Sequence, residues 1–203
     1  IHCSGALSLD VLDYAVQQGA ISGTFHPFQA FSSVDIGVKS IPGITFGIEG
    51  NSKMTAYLEE MAVLLEGNPI SVDSKDKVLY HLTGVMMGGL LTTLGATTAR
   101  LWECFGVNRA KALKALVPIM RQVSYNLESF GIPGAVAGPY ARGDIGTVRK
   151  HLKALQDRAP EVLPLYCEMA LIGIPFALEK GTIKPDTAEE IRELVNKFKD
   201  LNR

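Results

Sequence analysis

Two parts are expected of this 203-residue chain: an α/β segment carrying a mostly parallel sheet with covering helices, then an all-helical segment. Strand-like and helix-like runs alternate as far as Val72. From Ser74 onward the runs have helical periodicity and helical start and stop signals. The change of pattern near residue 74 sets the expected units at 1–73 and 74–203.

The elements follow in order. Ile1-His2-Cys3 reads as the end of a strand. Ser8 is placed to cap a helix that runs through Gln18 and closes at Gly19. Ile21–His26 reads as a strand stopped by Pro27, and Phe28–Gly43 as a loop. Ile44–Ile48 is a second strand, Lys53–Leu65 a helix opened by Gly50-Asn51-Ser52, and Pro69–Val72 a short strand. A long helix is expected over Lys75–Phe105. Gly106-Val107-Asn108 ends it and caps the next, which runs to Phe130 with Pro118 as a kink. Gly131–Gly143 is a Gly/Pro loop. Helices then cover Asp144–Asp157, Pro160–Lys180 and Pro185–Phe198, with prolines at the starts and Gly181 at a stop.

Composition narrows the function classes. Net charge is −1, and no basic run exceeds two residues, which excludes a clustered phosphate-binding surface of the nucleic-acid kind. Cys3, Cys104 and Cys167 are odd in number and lack C-x-x-C spacing. They read as thiols of a reducing, cytoplasmic compartment. Leu82–Ala99 holds eighteen residues without a charge, but also five threonines and four glycines. It is expected to form a buried helix–helix interface, eased by Gly84-x-x-x-Gly88, rather than a membrane span. The same stretch predicts a homodimer through the helical half, with no membrane partner.

Chemistry concentrates at a few places. Lys77 and His81 are four apart and stack on one helix face, with Lys77 in the first turn where the helix dipole disfavours a cation. Either this is a site, or it is a solvated lysine beside a partly buried histidine. His26, held by Pro27, and His2 lie at expected strand ends, where open α/β sheets bind ligands. Arg142 projects from the Gly/Pro loop and suits a carboxylate or phosphate, while Asp144 can cap the following helix. No His or Cys pair has metal-ligand spacing, so no metal is expected.

Several motifs occur in one order: His2-Cys3-Ser4-Gly5-Ala6-Leu7, Gly23-Thr24-Phe25-His26-Pro27-Phe28, Phe46-Gly47-Ile48-Glu49-Gly50, Lys77-Val78-Leu79-Tyr80-His81, Asn126-Leu127, and Ala137 through Asp144 with Thr147 and His151. In this combination the chain resembles NAD(P)-dependent oxidoreductases built of a Rossmann-like domain and a helical C-terminal domain of unknown function. That architecture is shared with ketopantoate reductase, pyrroline-5-carboxylate reductase and prephenate dehydrogenase. The resemblance implies a remnant of a Rossmann-like sheet over 1–73, and over 74–203 an all-helical substrate and dimerisation domain like the C-terminal domain of 6-phosphogluconate dehydrogenase. It implies hydride transfer between NADP or NAD and a small carbonyl or imine substrate. Lys77, His81 and His26 would be catalytic, Ser4 and Gly5 would lie near the cofactor, and Asn126, Arg142 and Asp144 would contact substrate.

The Gly-x-Gly-x-x-Gly turn of such enzymes is absent from the chain. The front half of the Rossmann domain, roughly 80–110 residues, is therefore expected to precede Ile1 in the intact protein. These residues alone are expected to bind NAD(P) poorly and to be inactive. A non-catalytic metabolite-binding or dimerisation module is the alternative.

Overall fold

Side-chain alternation along three short strands decides the layout of the first half. The computed structural model describes residues 1–200. Packing divides the chain into two compact units, Ile1–Thr93 and Leu94–Arg203. The first stretch of the long helix thus goes with the sheet, whereas the pattern change in the sequence lies at 73/74.

In the first unit a 3-10 turn (Leu9–Leu12) leads into a short helix, α1 (Asp13–Gln17). One continuous helix from Ser8 was expected. The Ser8 hydroxyl instead donates to the Asp10 carboxylate and makes no cap bond to the helix backbone. β1 (Gly23–Phe28) follows, then α2 (Val34–Lys39), β2 (Thr45–Gly50), α3 (Ser52–Leu64) and β3 (Asn68–Ser71). α2 occupies what reads as a loop in the sequence, because the Ser33 hydroxyl accepts from the Ile36 amide and caps it. α3 is capped in the same way by Asn51, whose side chain accepts from the Met54 amide at 2.9 Å.

The sheet has the order β1-β2-β3. β2 and β3 are parallel, joined by the crossover helix α3. β1 and β2 are antiparallel, in a register that places Thr24 opposite Glu49 and His26 opposite Gly47. The expectation of a mostly parallel sheet is corrected here. The β1–β2 connection is long enough for a crossover but holds only the six-residue α2, and the chain returns to pair antiparallel. β1 also runs through Pro27, which was expected to stop it; the strand is at one end of the sheet order, where a missing N–H costs little. On its outer side, His2 makes a single parallel bridge to Thr24.

Phe25, Phe46 and Ile48 point to one face of this sheet and pack with Leu58 and Ala62 of α3. The Phe25 and Phe46 rings stack with centroids 4.4 Å apart. This is the apolar core of the unit. The opposite face carries Thr24, His26, Gly47 and Glu49, the other half of the period-2 alternation.

α4 (Lys77–Val85), the first part of the long helix, covers that second face; a π-helical turn (Met86–Leu90) and α5 (Leu91–Glu103) continue the helix. Within it Lys77 is buried and Tyr80, His81 and Gly84 are partly buried, a spacing of one helical face. Val78, Leu79, Leu82, Met86 and Met87 are exposed. The amphipathicity is inverted: the polar face is turned inward and the apolar face outward. Gly84 was expected to ease a helix–helix contact. Its bare Cα instead meets the sheet side, where a Cβ would lie 3.0 Å from the Phe28 ring.

The second unit is a helical array. α6 (Arg109–Gly134) is capped by Asn108 and loses helical geometry at Gly131 and Ile132, where the expected Gly/Pro loop begins. Lys180 holds that loop by donating to the carbonyls of Gly134 and Val136, each at 2.7 Å. α7 (Ile145–Arg158), α8 (Leu163–Lys180) and α9 (Pro185–Asp200) complete the unit. α8 is its centre: Leu163, Cys167, Ala170, Ile174 and Ala177 recur every three to four residues and are buried. Gly181 closes α8 in the left-handed region at φ 75°.

Candidate functional site

α4 is seated on the sheet by charge. The Lys77 ammonium lies 3.0 Å from Glu49 Oε2, and the Lys77 side chain is only 3% exposed. The other Glu49 oxygen accepts from the Ser74 hydroxyl, in the turn just before α4. Glu49 thus offsets a cation that the helix N-terminus disfavours, and its carboxylate is shared between two groups. Thr24, directly opposite Glu49 in the register, is fully buried, and its hydroxyl has no hydrogen-bond partner among the described residues.

One turn along α4, the Tyr80 hydroxyl lies 2.9 Å from His26 Nδ1. It also crowds Gly47, where any Cβ would fall 2.5 Å from the tyrosine oxygen. Glycine at 47 is what lets the phenol reach β1 across β2. The His26 and His81 rings approach with centroids 6.2 Å apart, and Phe28 packs edge-on to His26 and against Tyr80. Burial pushes the Tyr80 phenol up to about 12, against an opposing pull from the Gly47 backbone. Burial also lowers the His26 pKa below the ordinary 6.5, helped by His81 and by the Lys77 charge. His26 is therefore uncharged at neutral pH. The unfolded chain holds this proton more tightly than the folded one. The resulting stability is present above about pH 6.5 and is lost as pH falls through the folded midpoint.

A cavity of about 320 Å³ opens beside these rings, walled by His26, Phe28, Gln29, His81, Gly84 and the π-helical Met87 among others. That volume suits a small molecule. Gly5 looks onto the same two rings: a Cβ there would sit 2.8 Å from His26 Nε2 and 2.9 Å from His81 Cδ2. The loop that carries Gly5 is held by His2. Its Nδ1 accepts from the Ser4 amide at 3.2 Å, and its Nε2 lies 3.2 Å from the Ser8 carbonyl. Ser4 itself spends its hydroxyl on the Ala6 and Leu7 amides and shapes the turn.

The structure thus brings together Lys77, His81, His26 and Gly5 in the first unit. Lys77 does not line the cavity; it lies beneath, on Glu49. His26 sits inside β1 rather than on a strand-to-loop turn, so it is half-buried rather than fully presented. Asn126, Arg142 and Asp144 belong to the second unit. Asn126 accepts from Gln122 on its own helix. Asp144 caps α7 by accepting from the Thr147 amide at 2.9 Å, and the Thr147 hydroxyl, with that amide second, holds its carboxyl below the usual range. Arg142 ends a short 3-10 turn and is exposed. Among the described residues no group of three His, Cys, Asp or Glu side chains is placed to hold a metal ion.

Three contributors escape the sequence reading: Glu49, Tyr80 and Gly47. A signal for each was present. Tyr80 lies three residues from Lys77 on the face that Lys77 and His81 define, and Gly47 and Glu49 alternate with the core residues Phe46 and Ile48.

Comparison with known proteins adds the following. Residues 44–172 match the model of a family described as a domain of unknown function, DUF2520. Protein TM1727 from Thermotoga maritima superposes with a TM-score of 0.74 at 22% identity, over 88% of this chain and 68% of that one. The putative NADP oxidoreductase BF3122 from Bacteroides fragilis superposes with a TM-score of 0.64 at 22% identity, over 83% of this chain and 62% of that one. The chain therefore spans about two thirds of the length of either. At this identity the likeness shows the fold alone, which this chain shares with both proteins. No curated protein sequence matches the chain.

The buried pair makes a direct prediction. Glu49→Gln should lower stability by about 3–5 kcal/mol, because Lys77 is left as a buried charge without a counter-ion. Replacing both residues by methionine should recover most of the loss. Denaturant unfolding of the three variants checks this. A Glu49→Gln cost below about 0.5 kcal/mol, the level of a surface pair, would contradict it.

Proposed function

The chain belongs to the DUF2520 family, and we propose that it forms the substrate-handling part of an NAD(P)-linked cytoplasmic oxidoreductase acting on a small carbonyl or imine compound. The observation that carries this reading is the cavity walled by His26 and His81, with a bare glycine over both rings. The oxidoreductase-like fold supports it.

His26 and His81 touch the ligand and meet its reacting atom. Of the two roles expected for Lys77, proton transfer or stabilisation of charge on the reacting oxygen, it takes the second, because its ammonium is committed to Glu49. Gly5 lets its loop pack directly against the two imidazoles, where a side chain would collide with both. Ser4 holds the Gly5 loop in shape. Asn126, Arg142 and Asp144 lie in the second unit and take no part in this reading of the cavity; Asp144 is occupied as a helix cap.

The dinucleotide finds no pyrophosphate cradle among these residues. Gly84, Gly88 and Gly89 lie within the long helix, where their amides serve helical geometry rather than a phosphate turn. When bound in the intact protein, the nicotinamide supplies the hydride; the residues described here orient the substrate and place hydrogen-bonding groups at its reacting atom.

The test is oxidation of NADPH or NADH by the intact protein, followed by absorbance against a panel of 2-oxo acids, aldehydes and cyclic imines. His81→Ala and His26→Gln should each lower turnover on the order of 10²–10⁴-fold with the fold retained. No nicotinamide oxidation with any member, or turnover within a few-fold in both variants, would reject catalysis at this cavity.

A second reading, a non-catalytic dimerisation or binding module, is favoured by one observation. The helical stretch Ser74–Glu103 is apolar and long enough to cross a membrane, and its most apolar window is 0% buried. Pro160–Lys180 passes the same test with 33% buried, as the central helix of its unit. The buried interface expected for Leu82–Ala99 is thus not made within this chain; only Ala99 of that stretch is buried. The threonines do not oppose an apolar partner, since Thr83, Thr92, Thr93 and Thr98 donate to carbonyls of their own helix. We propose that a second copy covers this face. Light scattering of the intact protein should give twice the chain mass, and Leu79→Glu with Leu82→Glu should shift it toward one. A monomer at high concentration, or co-sedimentation with liposomes instead of self-association, would contradict the homodimer.

A further inference from the structure

The role of Tyr80 follows from hydrogen-bond arithmetic at His26. Neutral imidazole has one donor and one acceptor nitrogen, and a phenol has one donor hydrogen. The Tyr80 hydroxyl is half-buried, and its side-chain partner among the described residues is His26 Nδ1 at 2.9 Å. If Nδ1 carried the proton, it would donate to the tyrosine oxygen, and the phenol hydrogen would have no side-chain acceptor among the described residues. That oxygen already faces the backbone of Gly47. If Nδ1 is bare, the phenol donates to it and both groups are satisfied. The proton then sits on Nε2. This nitrogen lies on the ring edge toward Gly5, beside His81 Cδ2.

We propose that Tyr80 is a positioning residue that locks His26 in the Nε2–H tautomer, so that the histidine meets its ligand as a neutral hydrogen-bond donor. The inference rests on the reading of this cavity as a ligand site and deepens it. A donor at Nε2, with the Lys77 cation beneath, suits an acceptor such as a carbonyl oxygen. It suits a neutral imine nitrogen as well, which also offers a lone pair, but not a protonated iminium, which offers none and carries like charge.

Two features support a built arrangement rather than a chance contact. Gly47 is required for the phenol to reach across β2, as a Cβ would collide with it. Phe28 holds the Tyr80 ring from the other side, with centroids 5.1 Å apart.

The tautomer is read without any substrate. Nitrogen NMR of histidine-labelled intact protein near neutral pH should show His26 with Nδ1 unprotonated and Nε2 protonated. Tyr80→Phe should convert this to a mixture of tautomers while the amide fingerprint of the rest of the protein stays in place. An Nδ1–H tautomer in the wild type, or an unchanged tautomer in Tyr80→Phe, would overturn the proposal. Should Tyr80→Phe fail to fold, 3,5-difluorotyrosine at position 80 keeps the shape and makes the phenol a stronger donor. A shift of the His26 Nδ1 resonance then supports the lock, and no shift overturns it. These results are separate from the nicotinamide assay: a locked tautomer in an inactive protein would fail the oxidoreductase reading and leave the lock standing.

Discussion

The ion pair between Lys77 and Glu49 is the contact on which the site depends. It forms at the first residue of α4 and the fifth of β2, and so joins the long helix to the chemical face of the sheet. Taking both charges out of water is costly, and such a pair adds little net stability compared with apolar residues of the same size. What it specifies is orientation. With Lys77 fixed inward, helical geometry brings Tyr80, His81 and Gly84 to the same side. Tyr80 then reaches His26, His81 reaches the cavity, and Gly84 admits the Phe28 ring.

The consequence is a helix turned the wrong way for a single soluble chain. Burial of apolar surface would by itself place Val78, Leu79 and Leu82 against the sheet. The charged pair and the tyrosine–histidine bond override that preference, and the apolar face is left outside. In the second unit, α6 likewise leaves Val117, Ile119, Val123, Tyr125 and Phe130 open. Exposed apolar surface on the face of α4 is of the kind that interaction faces carry. The π-helical turn at Met86–Leu90 contributes both to one wall of the cavity and to that exposed stripe.

Much of this was legible in the residues. The caps Asn51, Asn108 and Asp144 and the stops at Gly106 and Gly181 mark helix ends that the structure places within a few residues of those read from the sequence. Lys77 and His81 do share a face, as their spacing requires. Other features could not be read locally. The antiparallel return of β1 onto β2 depends on tertiary pairing, and the six-residue α2, set among Ser, Asp, Gly and Pro, looks like a loop until Ser33 caps it. The setting of Lys77 is not local either: its counter-ion lies on a strand 28 residues earlier. Tyr80 stands within the Lys77–His81 motif, but its partner, His26, is 54 residues distant, so no local pattern gives it a role.

The central claim is that α4 buries its polar face and holds an uncharged His26 beside His81 and above the Lys77 charge. The most direct measurement is the pH titration of the His26 ring by proton NMR in the intact protein. Desolvation under α4, with His81 and Lys77 opposing a second charge, predicts a midpoint below 6.5. A midpoint at or above 6.5 would mean that the ring is solvated or paired with an anion, and would contradict this arrangement of helix and sheet.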